Sequence, residues 1–210
     1  MFLSNRDLKY AIETERLIVK PEPKDENISE SSIDLHLDSI NEAKIWDIEK
    51  YQNDLKTHGK EHPELHLGTF QYKVFGQKYL TSPPKESEIS DEKVFSRDTE
   101  IVIKPFGFLL WQTKEVVGTT QKTADHICFI DGKSTRARTG LLVHLTAPTI
   151  QAGWNGQITL EIANLGPFHF VLKEDDIIAQ ITVAKMSSIP DIHMKIESTI
   201  KSGQKNVLGN

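Results

Sequence analysis

The densest chemistry in the sequence lies in seven consecutive positions, Gly132-Lys133-Ser134-Thr135-Arg136-Ala137-Arg138. A glycine, two hydroxyls and three cations follow a strand-like run there. Hydroxyls, backbone N–H groups and Lys or Arg side chains are the partners a polyphosphate takes. A solvated basic turn would have the same composition. Further on, Gln157-Ile158-Thr159-Leu160-Glu161-Ile162-Ala163-Asn164 alternates, with Ile158, Leu160 and Ile162 on one face and Thr159 and Glu161 on the other. A carboxylate in the middle of so apolar a strand is costly if buried without a partner. If its face is wet, it is an ordinary residue of an antiparallel sheet. His58, His62 and His66 recur at a spacing of four, which on a helix would align them as metal ligands. Gly59 and Pro63 interrupt such a helix, so an exposed polar loop is expected and no metal site. Cys128, inside His126-Ile127-Cys128-Phe129-Ile130, reads as a small core residue with no base to activate it. Trp46, Trp111 and Trp154 read as packing residues.

These residues need a framework. Ser4-Asn5-Arg6-Asp7 starts a short helix, with a carboxylate near its positive end, that closes near Glu15. Leu17-Ile18-Val19 is a short strand stopped by Pro21 and Pro23, and residues 32–37 alternate as a second. From about residue 99 strand candidates follow one another at 100–104, 107–112, 126–130, 140–146, 157–163, 168–172 and 177–185. Turns such as Asp131-Gly132, Asn155-Gly156 and Gly166-Pro167 separate them. The pattern predicts an antiparallel sandwich or barrel, without the strand–helix alternation of a doubly wound sheet. Residues 1–210 read as one domain, with 49–98 as an insertion of long loops carrying a hairpin near 68–80 and 186–210 as a C-terminal tail or lid. The net charge of −5 argues against a bulk nucleic-acid binder. One cysteine excludes an internal disulfide and any zinc site built on two or more thiolates. No apolar run approaches the ~20 residues of a membrane span, and the start lacks a signal-peptide core. A soluble cytoplasmic protein with no membrane partner is expected.

Taken in order, several stretches resemble the dCTP deaminase family of the dUTPase-like superfamily. They are Leu3-Ser4-Asn5-Arg6-Asp7-Leu8, Ser31-Ser32-Ile33-Asp34-Leu35-His36-Leu37, the 132–141 run, Val143-His144-Leu145-Thr146-Ala147, Gly153-Trp154-Asn155-Gly156, Ile158-Thr159-Leu160-Glu161 and Ile178-Ala179-Gln180. The resemblance implies a mainly β, distorted jelly-roll or β-barrel fold with a short N-terminal helix, assembled as a homotrimer with its sites between subunits. It implies hydrolysis of dCTP to dUTP and ammonia. Glu161 would be the general base for the attacking water, Ser134 would hold that water and Arg138 would orient the Glu161 carboxylate. Lys133, Ser134 and Thr135 would touch the triphosphate with Gln180 nearby. The backbone at Thr146 and Ala147 would read the cytosine edge. Mg²⁺ would accompany the triphosphate. Zinc-dependent nucleobase deaminases carry a Pro-Cys-x-x-Cys segment that a single cysteine cannot supply, so water activation without zinc is expected.

The chain departs from the family pattern at two positions. Gln151 stands where the family has an Asp that accepts from the deoxyribose 3′-hydroxyl, and Thr149 replaces a basic residue. Ser202-Gly203-Gln204-Lys205 matches the closing tail faintly. Two alternative readings follow: a bifunctional dCTP deaminase/dUTP diphosphatase or a dUTPase, and a catalytically idle nucleotide-binding regulatory relative.

Overall fold

Buried and half-buried residues alternate along the ten positions of Asn155–Asn164, and the site is built around this strand. The computed structural model describes residues 1–59, 63–86, 92–144, 146–191 and Val207. Its strands are β1 (Ile18–Lys20), β2 (Ile33–His36), β3 (Ile45–Trp46), β4 (Leu80–Thr81), β5 (Val94–Arg97), β6 (Glu100–Ile103), β7 (Phe108–Gly118), β8 (His126–Gly132), β9 (Leu141–Val143), β10 (Thr149–Ile150), β11 (Asn155–Asn164), β12 (Phe170–Lys173) and β13 (Ile177–Lys185). The helices are α1 (Asn5–Glu13), α2 (Ile48–Lys56), α3 (Tyr72–Tyr79) and the single turn α4 (Ser134–Ala137). No helix among the described residues is long and apolar enough to cross a membrane.

The strands pair antiparallel in the orders β1-β7-β11-β9, β10-β8-β13-β2, β12-β6-β5 and β3-β4. Leu109, Trp111, Leu160 and Ile162 of the first sheet and Ile33, Leu35, Ile130 and Ile181 of the second are fully buried in one core. The expectation of a mainly β fold with short antiparallel strands holds. A closed barrel does not form. The edge strands β1, β9 and β10 span three, three and two residues, too short to carry a hydrogen-bond ladder from one sheet to the next. The N-terminal helix is present, though Ser4 Oγ donates to Asp7 Oδ2 at 2.9 Å and caps no backbone N–H.

The insertion differs most from its sequence reading. Residues 72–79 form a helix where a hairpin was expected near 68–80. Tyr72, Phe75 and Tyr79 recur at helical spacing, and that period, rather than strand alternation, decides the structure. Phe75 packs 4.7 Å from Tyr79 and 5.1 Å from Tyr51 of α2, between ring centroids. Asp47 caps α2 by accepting from the Lys50 N–H at 2.9 Å. The hairpin-like pairing lies instead at the base of the insertion, between β3 and β4. His58 and His66 are exposed, and His62 lies outside the described residues. The expected tail over 186–210 also falls largely outside them, including Ser202-Gly203-Gln204-Lys205; Val207 is buried and its carbonyl accepts from the Tyr72 hydroxyl at 2.7 Å.

Candidate active site

A cross-strand row sets the centre of the site. Leu110 of β7 lies opposite Glu161 of β11. On the far side of β7, Lys44 exchanges both backbone hydrogen bonds with Leu110, at 2.7 and 2.8 Å. On the far side of β11, the His144 N–H donates to the Glu161 carbonyl at 2.9 Å. The row therefore runs Lys44, Leu110, Glu161, His144. Alternation puts Glu161 on the face away from Leu160 and Ile162, and that face is covered. It opens into a cavity of about 820 Å³ whose lining includes Trp46, Tyr72, Leu110, His144, Gln151 and Trp154. The segment leading into the insertion thus reaches the site through Lys44, and Trp46 follows two residues on.

Glu161 is held at one oxygen only. Its Oε2 is buried 2.9 Å from Nδ1 of His144, close enough for an ion pair but off the line of a hydrogen bond. The side chain as a whole is 42% exposed, so its other oxygen faces the cavity. His144 sits just beyond β9 with φ of 53°, a left-handed backbone that a non-glycine residue adopts at a cost of about 1–3 kcal/mol. Its Nε2 lies 2.9 Å from the Ala147 carbonyl. A carbonyl only accepts, so Nε2 carries a proton. The neutral ring would then aim a lone pair at Oε2, and a second proton on Nδ1 removes that repulsion. Burial pulls the imidazole toward neutrality, yet the Glu161 carboxylate outweighs it together with the Ala147 carbonyl, and the group titrates above its ordinary value. Tyr72 on the facing wall is pushed up to about 12, first by burial and then by the Glu161 charge.

The polar turn lies elsewhere on the chain. β8 ends at Gly132, and α4 follows at once with Ser134, Thr135 and Arg138 exposed. Gly140, at φ of 96°, crosses the Leu165-Gly166 backbone so closely that an added Cβ would lie 2.3 Å from the Gly166 nitrogen. Only glycine turns the chain there from α4 into β9. Gln180 of β13 pairs with Asp131 on β8 and Asp34 on β2. Lys133 Nζ donates to Asp34 Oδ1 at 2.6 Å and to Gln180 Oε1 at 3.1 Å.

Of the residues singled out in the sequence, Glu161, Ala147 and Gln151 line the cavity, as does Thr149. Thr146 is exposed beside it, and Lys133, Ser134, Thr135, Arg138 and Gln180 do not line it. One chain therefore keeps the Glu161 cavity and the polar 132–138 turn at separate places. Within the chain Glu161 is met by His144, where the resemblance implied Arg138. Sequence reasoning missed His144, Trp46, Phe70 and Tyr72. His144 follows an apolar run that alternation alone does not mark, and the aromatics lie far from Glu161 in sequence. Cys128 is buried in the core, and burial pushes its thiol up to about 12, which leaves it unreactive. Among the described residues no group of three His, Cys, Asp or Glu is placed to hold a metal.

Residues 2–186 match the family described as dCTP deaminase-like. The dCTP deaminase of Buchnera aphidicola subsp. Acyrthosiphon pisum is 28% identical over 187 residues, 89% of this chain and 85% of that protein. The dCTP deaminase of Pseudoalteromonas translucida is 31% identical over 174 residues, 82% and 77% of the two chains. The crystal structure of 2′-deoxycytidine 5′-triphosphate deaminase from Agrobacterium tumefaciens shares the fold with a TM-score of 0.55 at 15% identity, over 87% of this chain. The match covers 47% of that solved chain, so this protein spans about half its length.

Proposed function

The chain belongs to the dCTP deaminase-like family, and from that premise we propose that it converts dCTP and water to dUTP and ammonia in the cytoplasm, with Glu161 as general base. The observation that carries this reading is the half-anchored Glu161, with one oxygen fixed at His144 and the other open to a largely apolar cavity. A base so placed is aimed before substrate arrives, and exclusion of water strengthens its interactions.

In the proposed reaction the water oxygen bonds to C4 as Glu161 takes one of its protons. The electron pair of the C4–N3 double bond moves to N3, which takes from Glu161 the proton just removed from the water. C4 becomes tetrahedral, bearing a hydroxyl and the amino group. Glu161 then takes the hydroxyl proton as the C4 carbonyl forms and passes it to the amino nitrogen, the C4–N bond breaks, and ammonia leaves with Glu161 again a carboxylate. His144 holds Oε2 in place and keeps its own protons on Nε2 and Nδ1, which makes it a positioning residue. The backbone at Thr146 and Ala147 reads the polar edge of the base, and Gln151 faces the sugar.

The phosphate half comes from a neighbouring subunit of a homotrimer. Its Lys133, Ser134, Thr135 and Gln180 take the triphosphate, its Ser134 holds the water, and its Arg138 aligns the open oxygen of Glu161. This arrangement accounts for an acid–base half and a phosphate half that one chain keeps apart. Mg²⁺ suits this half as a hard cation that takes oxygen donors: phosphate oxygens and water would supply most of them, with Asp34 and Gln180 the adjacent protein oxygens. Its chemistry there is charge neutralisation. Incubation with dCTP and Mg²⁺ followed by separation of products tests the proposal. Formation of dUTP with one ammonia per turnover supports it, and an unaltered dCTP pool overturns it.

A further inference from the structure

The cavity has a wall that deamination itself does not require. Trp46 of β3, with Phe70 and Tyr72 of the insertion, lines it. These rings brace one another. Trp46 lies 6.3 Å from Tyr72, edge to face, and 5.3 Å from Phe75, while Phe70 lies 5.2 Å from Phe75. The Tyr72 hydroxyl is already committed to the Val207 carbonyl, so Tyr72 presents ring carbon to the cavity. The wall offers hydrocarbon.

Cytosine has two unlike edges. N4, N3 and O2 form a polar edge, and C5 and C6 carry only hydrogen. If the polar edge is spent on Glu161 and on the backbone at 146–147, the C5–C6 edge faces the aromatic wall. There is also room. The cavity measures about 820 Å³, high in the range of roughly 300–1,000 Å³ that encloses a whole drug-sized ligand. Lys133, Ser134, Thr135, Arg138 and Gln180 of the same chain do not line it, so the triphosphate lies outside it, and it receives the base and sugar, the attacking water and the neighbour's Ser134 and Arg138 at Glu161. Space is left beside C5.

We infer that the substrates include cytosine deoxynucleotides bearing a small apolar group at C5, with Trp46, Phe70 and Tyr72 as the surface that receives it. This rests on the reading that the cavity takes the base of dCTP. For 5-methyl-dCTP the bonds made and broken are those given above. Water adds at C4, ammonia leaves, and thymidine triphosphate is the product. The methyl group takes no part.

The test is kcat/KM for dCTP and 5-methyl-dCTP measured side by side, in the whole protein and in Leu65→Trp. Leu65 is 45% exposed at the rim of the cavity, so a larger ring there narrows the opening without entering the core. The wild-type protein should turn over 5-methyl-dCTP no more than about 10-fold less efficiently than dCTP, since one methyl-sized group in an apolar pocket shifts kcat/KM by about 10–200-fold and a group that fits shifts it upward. Leu65→Trp should lower the ratio of 5-methyl-dCTP to dCTP turnover by about 10-fold or more. Turnover of dCTP with 5-methyl-dCTP rejected more than about 100-fold would overturn this inference and leave the deaminase reading standing, as would a ratio unmoved in Leu65→Trp. Turnover of neither nucleotide would overturn the deaminase reading, and this inference with it.

Discussion

At Glu161, shape and charge can be separated by one substitution. Glu161→Gln keeps the side-chain volume and removes the base, so turnover should fall by roughly 10²–10⁴-fold while triphosphate affinity changes little. Steady-state kinetics with a binding isotherm would check this; retention of half the wild-type turnover would exclude the role. The same variant reports on His144. In the wild type His144 titrates above its ordinary value because the Glu161 carboxylate outweighs burial. With Glu161 neutralised, the imidazole loses that support and should titrate lower than in the wild type, as NMR titration of its ring protons would reveal. The sign for stability follows. A raised folded-state value means that the protonated pair stabilises fully below the unfolded value of 6.5 and loses that contribution as pH rises through the folded-state value. Melting temperatures compared across that window should therefore fall with pH more in the wild type than in Glu161→Gln. Gln151 makes a different point. Its neutral amide lines the cavity and cannot take a proton from water, so dCTP should yield dUTP without dUMP. Gln151→Asp should tighten dCTP, because a charged acceptor binds a hydroxyl with about 1.5–3 kcal/mol against about 0.5–1.5 for a neutral one. Diphosphate as a main product of the unmodified protein would refute this.

Among the elements, the turn from α4 into β9 is the tightest. Gly140→Ala would force Cβ against the Gly166 backbone at φ of 96°. The cost should exceed the ~0.4–1 kcal/mol that a compatible Gly-to-Ala change gains. At about 2–4 °C per kcal/mol for a chain of this size, the melting temperature should drop by several degrees. An unchanged melt would show that the backbone there yields. The sequence made β8, β11 and β13 legible because each buries one face, and a two-residue period is all that a half-buried strand needs. It exposed Glu161 as the odd residue on such a strand. It did not reveal which groups would meet Glu161. His144 is itself a left-handed residue at a strand end, and Trp46 follows two residues after the Lys44–Leu110 bridge, so both depend on register between distant segments. In the insertion the helical period of Tyr72, Phe75 and Tyr79 is local and legible, whereas the contacts of Phe75 with Trp46 and Tyr51, which set where α3 packs, lie outside any local window. Composition marks the 132–138 turn, but composition does not tell what lies across from it.

On the scale of the whole molecule, a site divided between chains can be reassembled from defective halves. Glu161→Gln and Arg138→Ala should each be inactive alone. Mixed and reassembled, they should recover up to about a quarter of wild-type activity, the share of interfaces in which random mixing joins an intact Glu161 to an intact Arg138 across a cyclic assembly. Light scattering should give about three times the 23.8 kDa chain mass. Failure to complement, or full activity in a species of one chain mass, would place both halves of the site in a single chain and refute the divided arrangement.

If Lys133 takes the triphosphate as proposed, its contact with Asp34 and Gln180 makes nucleotide binding an exchange. The cation that should greet a phosphate already has a partner 2.6 Å away. An incoming anion must displace a carboxylate before it gains anything, and a triphosphate does so more readily than a monophosphate. Asp34 would then act as a threshold on ligand charge, holding off the more weakly charged nucleotides that share the same base and sugar. Asp34→Asn should lower the dissociation constant for dCMP more than that for dCTP, narrowing the gap between them in calorimetry. If the gap keeps its width, Asp34 only steadies Lys133 and sets no such threshold.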